Sequence, residues 1–185
     1  MNLMAICGSP RRNGNTNHLV DIALGAAEAA GASTRKLVLS DMNVKPCLAH
    51  EKCRTFKRCV QNDDICTVMD GYLQADGIIL ATPVYYFNVS AQLKMFIDRN
   101  YFLDVRGMHP KAKAVGMIVV AQSEGIDETV HTLTQFVDWT FRIPRDKLFL
   151  VTGYAWKAGD IDSRPDVVEK ARDMGRKIAA VGTER

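Results

Sequence analysis

A short polar loop near the start of the chain carries side chains suited to hold a phosphate group. It follows the apolar residues 3–7 and precedes a helical pattern of apolar residues that starts at Leu19. Where a buried strand leads into a helix, unpaired backbone N–H groups and the positive end of the helix dipole attract anions. Gly8 and Gly14 allow tight backbone turns there. The hydroxyl, amide and guanidinium donors of this loop are Ser9, Arg11, Arg12, Asn13, Asn15, Thr16 and Asn17.

The spacing of these residues excludes two common phosphate-binding motifs. The loop lacks the G-x-G-x-x-G pattern of dinucleotide-binding folds, and it lacks the G-x-x-x-x-G-K-[ST] pattern of nucleotide hydrolases. Neutral donors combined with arginine suit the terminal monoester phosphate of a mononucleotide. The alternative is an ordinary strand-to-helix turn with arginines on its surface.

A second loop, after a continuous apolar strand, contains three consecutive aromatic residues. Their flat apolar faces could contact a planar ring, and the backbone N–H groups of the loop could bind its polar edge. The alternative is that the aromatic side chains pack against the edge of the sheet. The residues of this loop are Pro83, Val84, Tyr85, Tyr86, Phe87 and Asn88.

A third candidate loop covers residues 122–125, after the next apolar strand. Ser123 offers a hydroxyl group, and Gly125 allows close approach of the backbone to a ligand. We expect this loop on the other side of the same ring. An ordinary connection between a strand and a helix is the alternative.

The elements that position these loops alternate between strands and helices. Alternation of this kind predicts a parallel sheet covered by helices on both faces. We predict a flavodoxin-like, doubly wound five-stranded sheet in the order 2-1-3-4-5, with ligands at the carboxyl ends of the strands. The predicted strands are residues 3–7, 34–39, 77–82, 112–121 and 147–154. The predicted helices are residues 17–30, 65–75, 90–101 and 127–141, and a last helix capped by Ser163.

Composition points to one domain over residues 1–185, with 47% hydrophobic residues to form its core. The net charge of +3, with both signs interspersed, gives no reason to expect nucleic acid or a membrane surface as a partner. The N-terminus lacks a signal-like apolar stretch, and no apolar run approaches the length of a membrane span. We therefore expect a cytoplasmic protein.

A long polar segment, residues 40–63, has neither a helical nor a strand period and carries most of the cysteines. Loops of this length are usually functional or disordered. Five cysteines in all, with no secretion signal, favour free thiols, redox chemistry or metal binding over a disulfide framework. The spacing C-x2-H-x2-C-x5-C is formed by Cys47, His50, Cys53 and Cys59, and Cys66 follows in the predicted helix.

Two of these loops resemble those of a known family. Residues 8–11 with Gly14-Asn15-Thr16 resemble the FMN-phosphate loop of the flavodoxin-like NAD(P)H-dependent FMN reductases, a group that includes the iron–sulfur flavoproteins. Residues 83–86 and 89–99 resemble the same family, whose corresponding loop contacts the isoalloxazine ring. The resemblance implies bound FMN, NAD(P)H as co-substrate, and a flavin, quinone or other small molecule as electron acceptor. It also implies a homodimer or homotetramer.

The resemblance extends to the cysteine-bearing loop, with one departure. Iron–sulfur flavoproteins carry a compact loop of four cysteines at this place, and His50 occupies the position of the second cysteine. Cys47, His50, Cys53 and Cys59 could still hold a [4Fe–4S] cluster or a zinc ion, with Cys66 as a substitute ligand. A metal-free loop that covers the flavin is the alternative.

One further function fits the same residues. A protein without catalytic activity could use the loop around Arg11 to bind a phosphorylated ligand, with a zinc-stabilised cysteine loop as an interface. Bound flavin would separate the two hypotheses, because only the oxidoreductase requires it.

Overall fold

Parallel β-strands form one sheet at the centre of the protein. The computed structural model describes residues 1–181, and residues 182–185 of the predicted domain lie outside the described residues. The strands are β1 (Asn2–Cys7), β2 (Ser33–Val38), β3 (Gly77–Pro83), β4 (Ala114–Ala121) and β5 (Leu148–Tyr154). All neighbouring strands are parallel, and their order is β2-β1-β3-β4-β5. The predicted sheet order and the flavodoxin-like fold class are confirmed.

Burial along the strands follows their position in the sheet. Every residue of β4 is buried, as are all but the last residue of β3 and all but the first of β1. The edge strands β2 and β5 contain exposed residues. Central strands of a parallel sheet are covered on both faces, which is why their sequences are apolar throughout.

Helices cover the sheet on both sides. They are α1 (Asn15–Ala29), α2 (Ile65–Gln74), α3 (Ala91–Arg99), α4 (Tyr101–Asp104), α5 (Ile126–Phe141) and α6 (Pro165–Val181). The helices α1 and α6 pack on one face of the sheet, where Leu3 and Ile79 are buried. The helices α2 to α5 pack on the other face, where Met4 and Ile78 are buried. Adjacent strand residues point to opposite faces, so each central strand contributes to two cores.

Several predicted boundaries differ from the structure. Ser163, the predicted cap of the last helix, lies instead in a 3₁₀ turn before α6, where its hydroxyl donates to the Asp160 carbonyl oxygen at 2.7 Å. The helix α1 begins at Asn15, two residues before the predicted start at Asn17. The predicted helix 90–101 is divided at Asn100 into α3 and α4. The Asn100 side chain donates a hydrogen bond to the Phe96 carbonyl oxygen at 2.9 Å, a local bond that competes with regular helix geometry.

The long polar segment has little regular structure, as its sequence predicts. A short 3₁₀ turn covers Leu39–Asp41, and residues 42–64 form neither strand nor helix. Over residues 1–181, no helix has the length and apolar character needed to cross a membrane.

The close contact between α1 and α6 generates a stability prediction. A β-carbon at Gly175 would lie 2.0 Å from the Ala23 carbonyl oxygen, so Gly175→Ala must push the two helices apart. We expect this substitution to lower the free energy of unfolding by about 1–3 kcal/mol in urea denaturation. Gly25→Ala is the control, because Gly25 lies in α1 with no atom near its would-be β-carbon. It should raise stability by about 0.5–1 kcal/mol, and similar losses for both variants would contradict the packing argument.

Candidate functional site

An open cleft of about 280 Å³ lies at the carboxyl ends of β1, β3 and β4 and beside the chain that follows β5. Loops after neighbouring parallel strands meet at this edge of the sheet. Of the predicted site residues, Ser9, Arg11, Asn13, Gly14, Asn15, Thr16, Pro83, Val84 and Tyr85 line the cleft. Arg12, Asn17, Tyr86, Phe87, Asn88, Ser123 and Gly125 are not part of its lining.

Three polar side chains of the first loop are available to a ligand. Arg11, Asn13 and Thr16 line the cleft, and within residues 1–181 their side chains make no hydrogen bond or ion pair. The helix α1 starts after Gly14 without a hydrogen bond from any capping side chain. The first N–H groups of a helix need a partner from outside the helix. Free backbone and side-chain donors therefore converge at one end of the cleft.

Other polar residues of the same loop hold the backbone in place. The Ser9 hydroxyl accepts a hydrogen bond from the Arg11 N–H at 3.3 Å, and the Asn17 amide donates to the Arg11 carbonyl oxygen at 2.8 Å. Both side chains are almost completely buried. Their donors and acceptors fix the path of the loop around Arg11.

Asn15 joins the first loop to the segment after β5. Its amide nitrogen donates to the Lys157 carbonyl oxygen at 2.8 Å, and its oxygen accepts from the N–H groups of Gly159 and Ile161 at 3.1 and 3.3 Å. This segment carries Trp156, which also lines the cleft. Asn15 thus positions a wall of the cleft, a role that its place in the loop does not reveal.

The two arginines of the loop have different surroundings. Arg12 forms an ion pair with Asp41 at 3.0 Å, at an exposed position outside the cleft. Arg11 lines the cleft and keeps its guanidinium free of partners among the described residues. Charge available to an anion therefore comes from Arg11.

The second loop makes a tight two-residue turn. The backbones of Tyr85 and Asn88 exchange hydrogen bonds of 2.9 and 3.1 Å, and Tyr86 and Phe87 between them have φ angles of 48° and 61°. Such positive angles cost about 1–2 kcal/mol for residues with a side chain. The turn leaves Tyr86 98% exposed, outside the cleft, while Tyr85 contributes to its lining.

The third loop packs closely against this turn. Gly125 has a φ of 87°, and a β-carbon there would lie 2.8 Å from Val84 Cγ1 and 2.9 Å from the Phe87 Cα. Ser123, Gly125 and Phe87 line a neighbouring cavity of about 290 Å³, which also includes Tyr154. Glycine is needed at this position because of both its backbone angle and the close approach of the second loop.

Ser90 connects the second loop to the first. Its hydroxyl donates to the Gly8 carbonyl oxygen at 2.7 Å and caps α3 by accepting from the Leu93 N–H. Its own N–H donates to the Thr82 hydroxyl at 2.9 Å. A β-carbon at Gly8 would come within 2.6 Å of the Ser90 hydroxyl oxygen, so glycine is required for this contact.

Part of the cleft lining was not predicted from the sequence. These residues are Val120, Gln122, Ala155, Trp156 and Ala158. Gln122 is the first residue of the predicted third loop, although only Ser123 and Gly125 of that loop were predicted to meet a ligand. The segment 155–158 directly follows a predicted strand, and that position is the signal that could have identified it. Its approach to the first loop depends on the long-range bonds of Asn15.

The predicted metal ligands lie in different surroundings. Cys47 is exposed, and the Nδ1 atom of His50 accepts a hydrogen bond from the Lys52 N–H at 3.0 Å. Burial raises the pKa of the Cys53 thiol, and the neighbouring Cys59 and Cys47 raise it further. The part of the chain that the structure describes contains no group of three His, Cys, Asp or Glu side chains arranged to hold a metal ion.

A buried ion pair holds the cysteine loop against α3. Arg99 donates to both carboxylate oxygens of Asp63, at 2.5 and 3.0 Å, and to the Lys45 carbonyl oxygen at 3.0 Å. Asp63 also accepts from the Lys45 N–H at 2.9 Å. Burial opposes the charged form of Arg99, but its hydrogen bonds to the Asp63 carboxylate and the nearby Asp63 and Cys59 side chains outweigh burial, and the pKa of Arg99 is raised.

Comparison with known proteins agrees with this arrangement. The family model described as "NADPH-dependent FMN reductase" matches residues 1–157. The chain belongs to the NADPH-dependent FMN reductase family. It is therefore an FMN-dependent oxidoreductase of the NAD(P)H-dependent type.

The curated relatives of this reductase include iron-sulfur flavoproteins of archaea. One from Methanocaldococcus jannaschii is 34% identical over 188 residues, which covers 98% of this chain and 97% of the relative. Another, from Archaeoglobus fulgidus, is 34% identical over 183 residues, which covers 97% of this chain and 79% of the relative.

Solved structures share the fold of this reductase at low sequence identity. An NAD(P)H:quinone oxidoreductase from Methanothermobacter marburgensis has a TM-score of 0.72 at 16% identity, with 95% of this chain and 96% of that chain covered. The apo form of an NADH:FMN oxidoreductase has a TM-score of 0.69 at 19% identity, with coverage of 100% and 96%.

The contact between the second and third loops generates a prediction about the reductase. Gly125→Ala should weaken FMN binding about tenfold, measured by fluorescence titration, because the new methyl group displaces Val84 and Phe87. Gly107→Ala is the matched control: Gly107 also has a positive φ, 66°, but no atom lies near its would-be β-carbon. Gly107→Ala should strain the backbone in the same way but leave the FMN affinity unchanged. Equal losses of FMN affinity in both variants would contradict the role of the contact between the second and third loops.

Proposed function

We propose that the cleft binds FMN, with the phosphate at the start of α1 and the ring between the second loop and Trp156. The observation that carries this proposal is the free guanidinium of Arg11, held at one end of the cleft beside the uncapped N–H groups of α1. Charge-assisted hydrogen bonds from such a group are the strong ones in anion binding. The free side chains of Asn13 and Thr16 complete the donor set.

The other predicted residues have supporting roles in this proposal. Ser9, Asn15 and Asn17 hold the phosphate loop and its neighbouring wall through their own hydrogen bonds. Pro83, Val84 and Tyr85 provide the surface against which the ring would lie. Phe87, Asn88, Ser123 and Gly125 belong to the turn and to the loop below it, and Tyr86 stands at its exposed tip.

We propose that the protein transfers electrons from NADPH or NADH to a small acceptor such as a flavin or a quinone. Bound FMN would supply this chemistry, because a flavin accepts hydride from a reduced nicotinamide and passes electrons on singly or in pairs. The protein would bind and orient the ring through the residues that line the cleft. We also propose a cytoplasmic homodimer or homotetramer.

The cysteine loop, as arranged, does not fit a metal centre. His50 Nδ1 is occupied by a backbone N–H, and the Cys59 sulfur accepts a hydrogen bond from Arg99 at 3.3 Å. Among residues 1–181, no three candidate ligands stand together. We therefore assign no step of the reaction to a [4Fe–4S] cluster or zinc held by the predicted ligands, which were Cys47, His50, Cys53 and Cys59, with Cys66 as a substitute.

The difference between the two arginines of the first loop tests the phosphate site. Arg11→Ala should raise the dissociation constant of FMN about 10- to 150-fold, because it removes charge-assisted hydrogen bonds worth about 1.5–3 kcal/mol. Arg12→Ala is the control and should change the constant less than twofold, since Arg12 pairs with Asp41 outside the cleft. Riboflavin, which lacks the phosphate, should bind the Arg11 variant and the native protein alike. Equal effects of both substitutions on FMN would contradict the site.

A visible spectrum tests the function as a whole. We expect protein purified without oxygen to show flavin bands that bleach on addition of NADPH and return on addition of a quinone. Iron, sulfide and zinc, assayed in the same sample, should be well below one per chain. Stoichiometric iron and sulfide would contradict our view of the cysteine loop. Failure to take up added FMN would contradict the proposed function and favour the phosphoryl-ligand hypothesis.

A further inference from the structure

Two cysteines share one buried guanidinium at the end of the cysteine loop. The Arg99 Nη2 atom lies 3.3 Å from the Cys59 sulfur and 4.0 Å from the Cys66 sulfur. Because both distances end on the same nitrogen atom, the two sulfurs are no more than 7.3 Å apart. The Cys66 thiol also points back toward the loop, within 3.2 Å of the Gln61 carbonyl oxygen and 3.8 Å of the Cys59 carbonyl oxygen.

Both thiols are accessible to a small molecule. Each is only partly buried, and both line a cavity of about 70 Å³ whose other walls include Met69 and Phe102. Cys7 is different, since it is completely buried beneath the first loop. A small oxidant that enters the cavity therefore meets Cys59 and Cys66 together.

The backbone holds the two cysteines in different ways. Cys66 is the second residue of α2, so its position is set by the helix. Cys59 lies in the irregular segment that precedes this helix, where no regular hydrogen-bond ladder holds the backbone. A disulfide requires the sulfurs to approach to about 2.0 Å, so its formation would require the Cys59 side chain and its local backbone to move toward Cys66.

We propose that Cys59 and Cys66 form a reversible disulfide site, with a small hydroperoxide as the oxidant. One thiol sulfur attacks the peroxide, an S–O bond forms, the O–O bond breaks, and a water or alcohol molecule leaves. The second sulfur then attacks the resulting sulfenic acid, the S–S bond forms, and the sulfenic oxygen leaves as water with the remaining proton. Two electrons pass from the two thiols to the peroxide, and a dithiol reductant reverses the change.

Arg99 and Asp63 position this pair. The Asp63 carboxylate fixes the plane of the guanidinium through two hydrogen bonds, and Nη2 then faces the sulfurs. Formation of the disulfide replaces the Cys59–Arg99 contact while leaving the Arg99–Asp63 pair intact. The site thus links the cysteine loop to α2 covalently without dismantling the anchor of that loop.

The natural trypsin sites of the chain allow a direct test. Arg58 precedes Cys59 and the next basic residue is Lys94, so Cys59 and Cys66 fall in one peptide, separate from Cys47 and Cys53. After treatment of the FMN-loaded protein with one equivalent of hydrogen peroxide, this peptide should be lighter by two hydrogens and resist alkylation. The number of free thiols should fall from five to three, and dithiothreitol should restore it.

Two variants make the test specific. Cys47→Ser should still lose two thiols on oxidation, whereas Cys66→Ser should lose the intrapeptide disulfide. A bridge between Cys53 and Cys47 or Cys59, or a Cys59 oxidised without a bridge in native protein, would overturn the proposal. Flavin content and NADPH oxidation are measured on the same samples. The thiol result is independent of them, so failure of the proposed function leaves this inference standing, and the reverse also holds.

Discussion

The hydrogen bond from the buried Ser90 hydroxyl to the Gly8 carbonyl oxygen is the contact on which the ligand-binding edge depends. It joins the end of β1 to the start of α3, so the first and second loops cannot move independently. The same hydroxyl caps α3, and the neighbouring N–H is satisfied by Thr82. Buried polar groups of this kind are stable only when all of their partners are in place. This junction therefore fixes the relative position of two loops distant in sequence.

The polar residues of the first loop form two groups with different roles. Ser9, Asn15 and Asn17 use their side chains within the protein, whereas Arg11, Asn13 and Thr16 leave theirs free toward the cleft. The hydrogen bonds of the first group fix the backbone of the loop, and the side chains of the second group therefore face the cleft. A site organised in this way has its donors oriented before the ligand arrives, which lowers the entropy cost of binding.

The opposite end of α3 carries the second organising contact. Arg99, the last residue of the helix, binds Asp63, Lys45 and Cys59, and so attaches both ends of the cysteine loop to the flavodoxin-like sheet. A single helix thus connects the loops around the cleft with the thiol-bearing segment. The same guanidinium that holds the loop also lies 3.3 and 4.0 Å from the sulfurs of Cys59 and Cys66, so the anchor of the loop also positions two of its thiols.

The sequence by itself determined the sheet order, the number of strands and two of the loops that line the cleft. Continuous apolar strands and strand-to-helix junctions are local patterns, and parallel α/β topology brings the carboxyl ends of the strands together. The resemblance to FMN reductases could also be read from short motifs, since residues 8–16 and 83–99 are contiguous in the chain.

Only the tertiary structure decided which of those residues are free to meet a ligand. Arg11 and Arg12 are neighbours of the same type, and the sequence does not distinguish them. In the structure Asp41 pairs with Arg12, whereas Arg11 stays available to a ligand in the cleft. Trp156 and the Arg99 contacts with Cys59 and Cys66 likewise depend on segments far apart in the chain. The physical reason is that local pattern specifies which donors a loop contains, while long-range packing specifies how many of them are already satisfied.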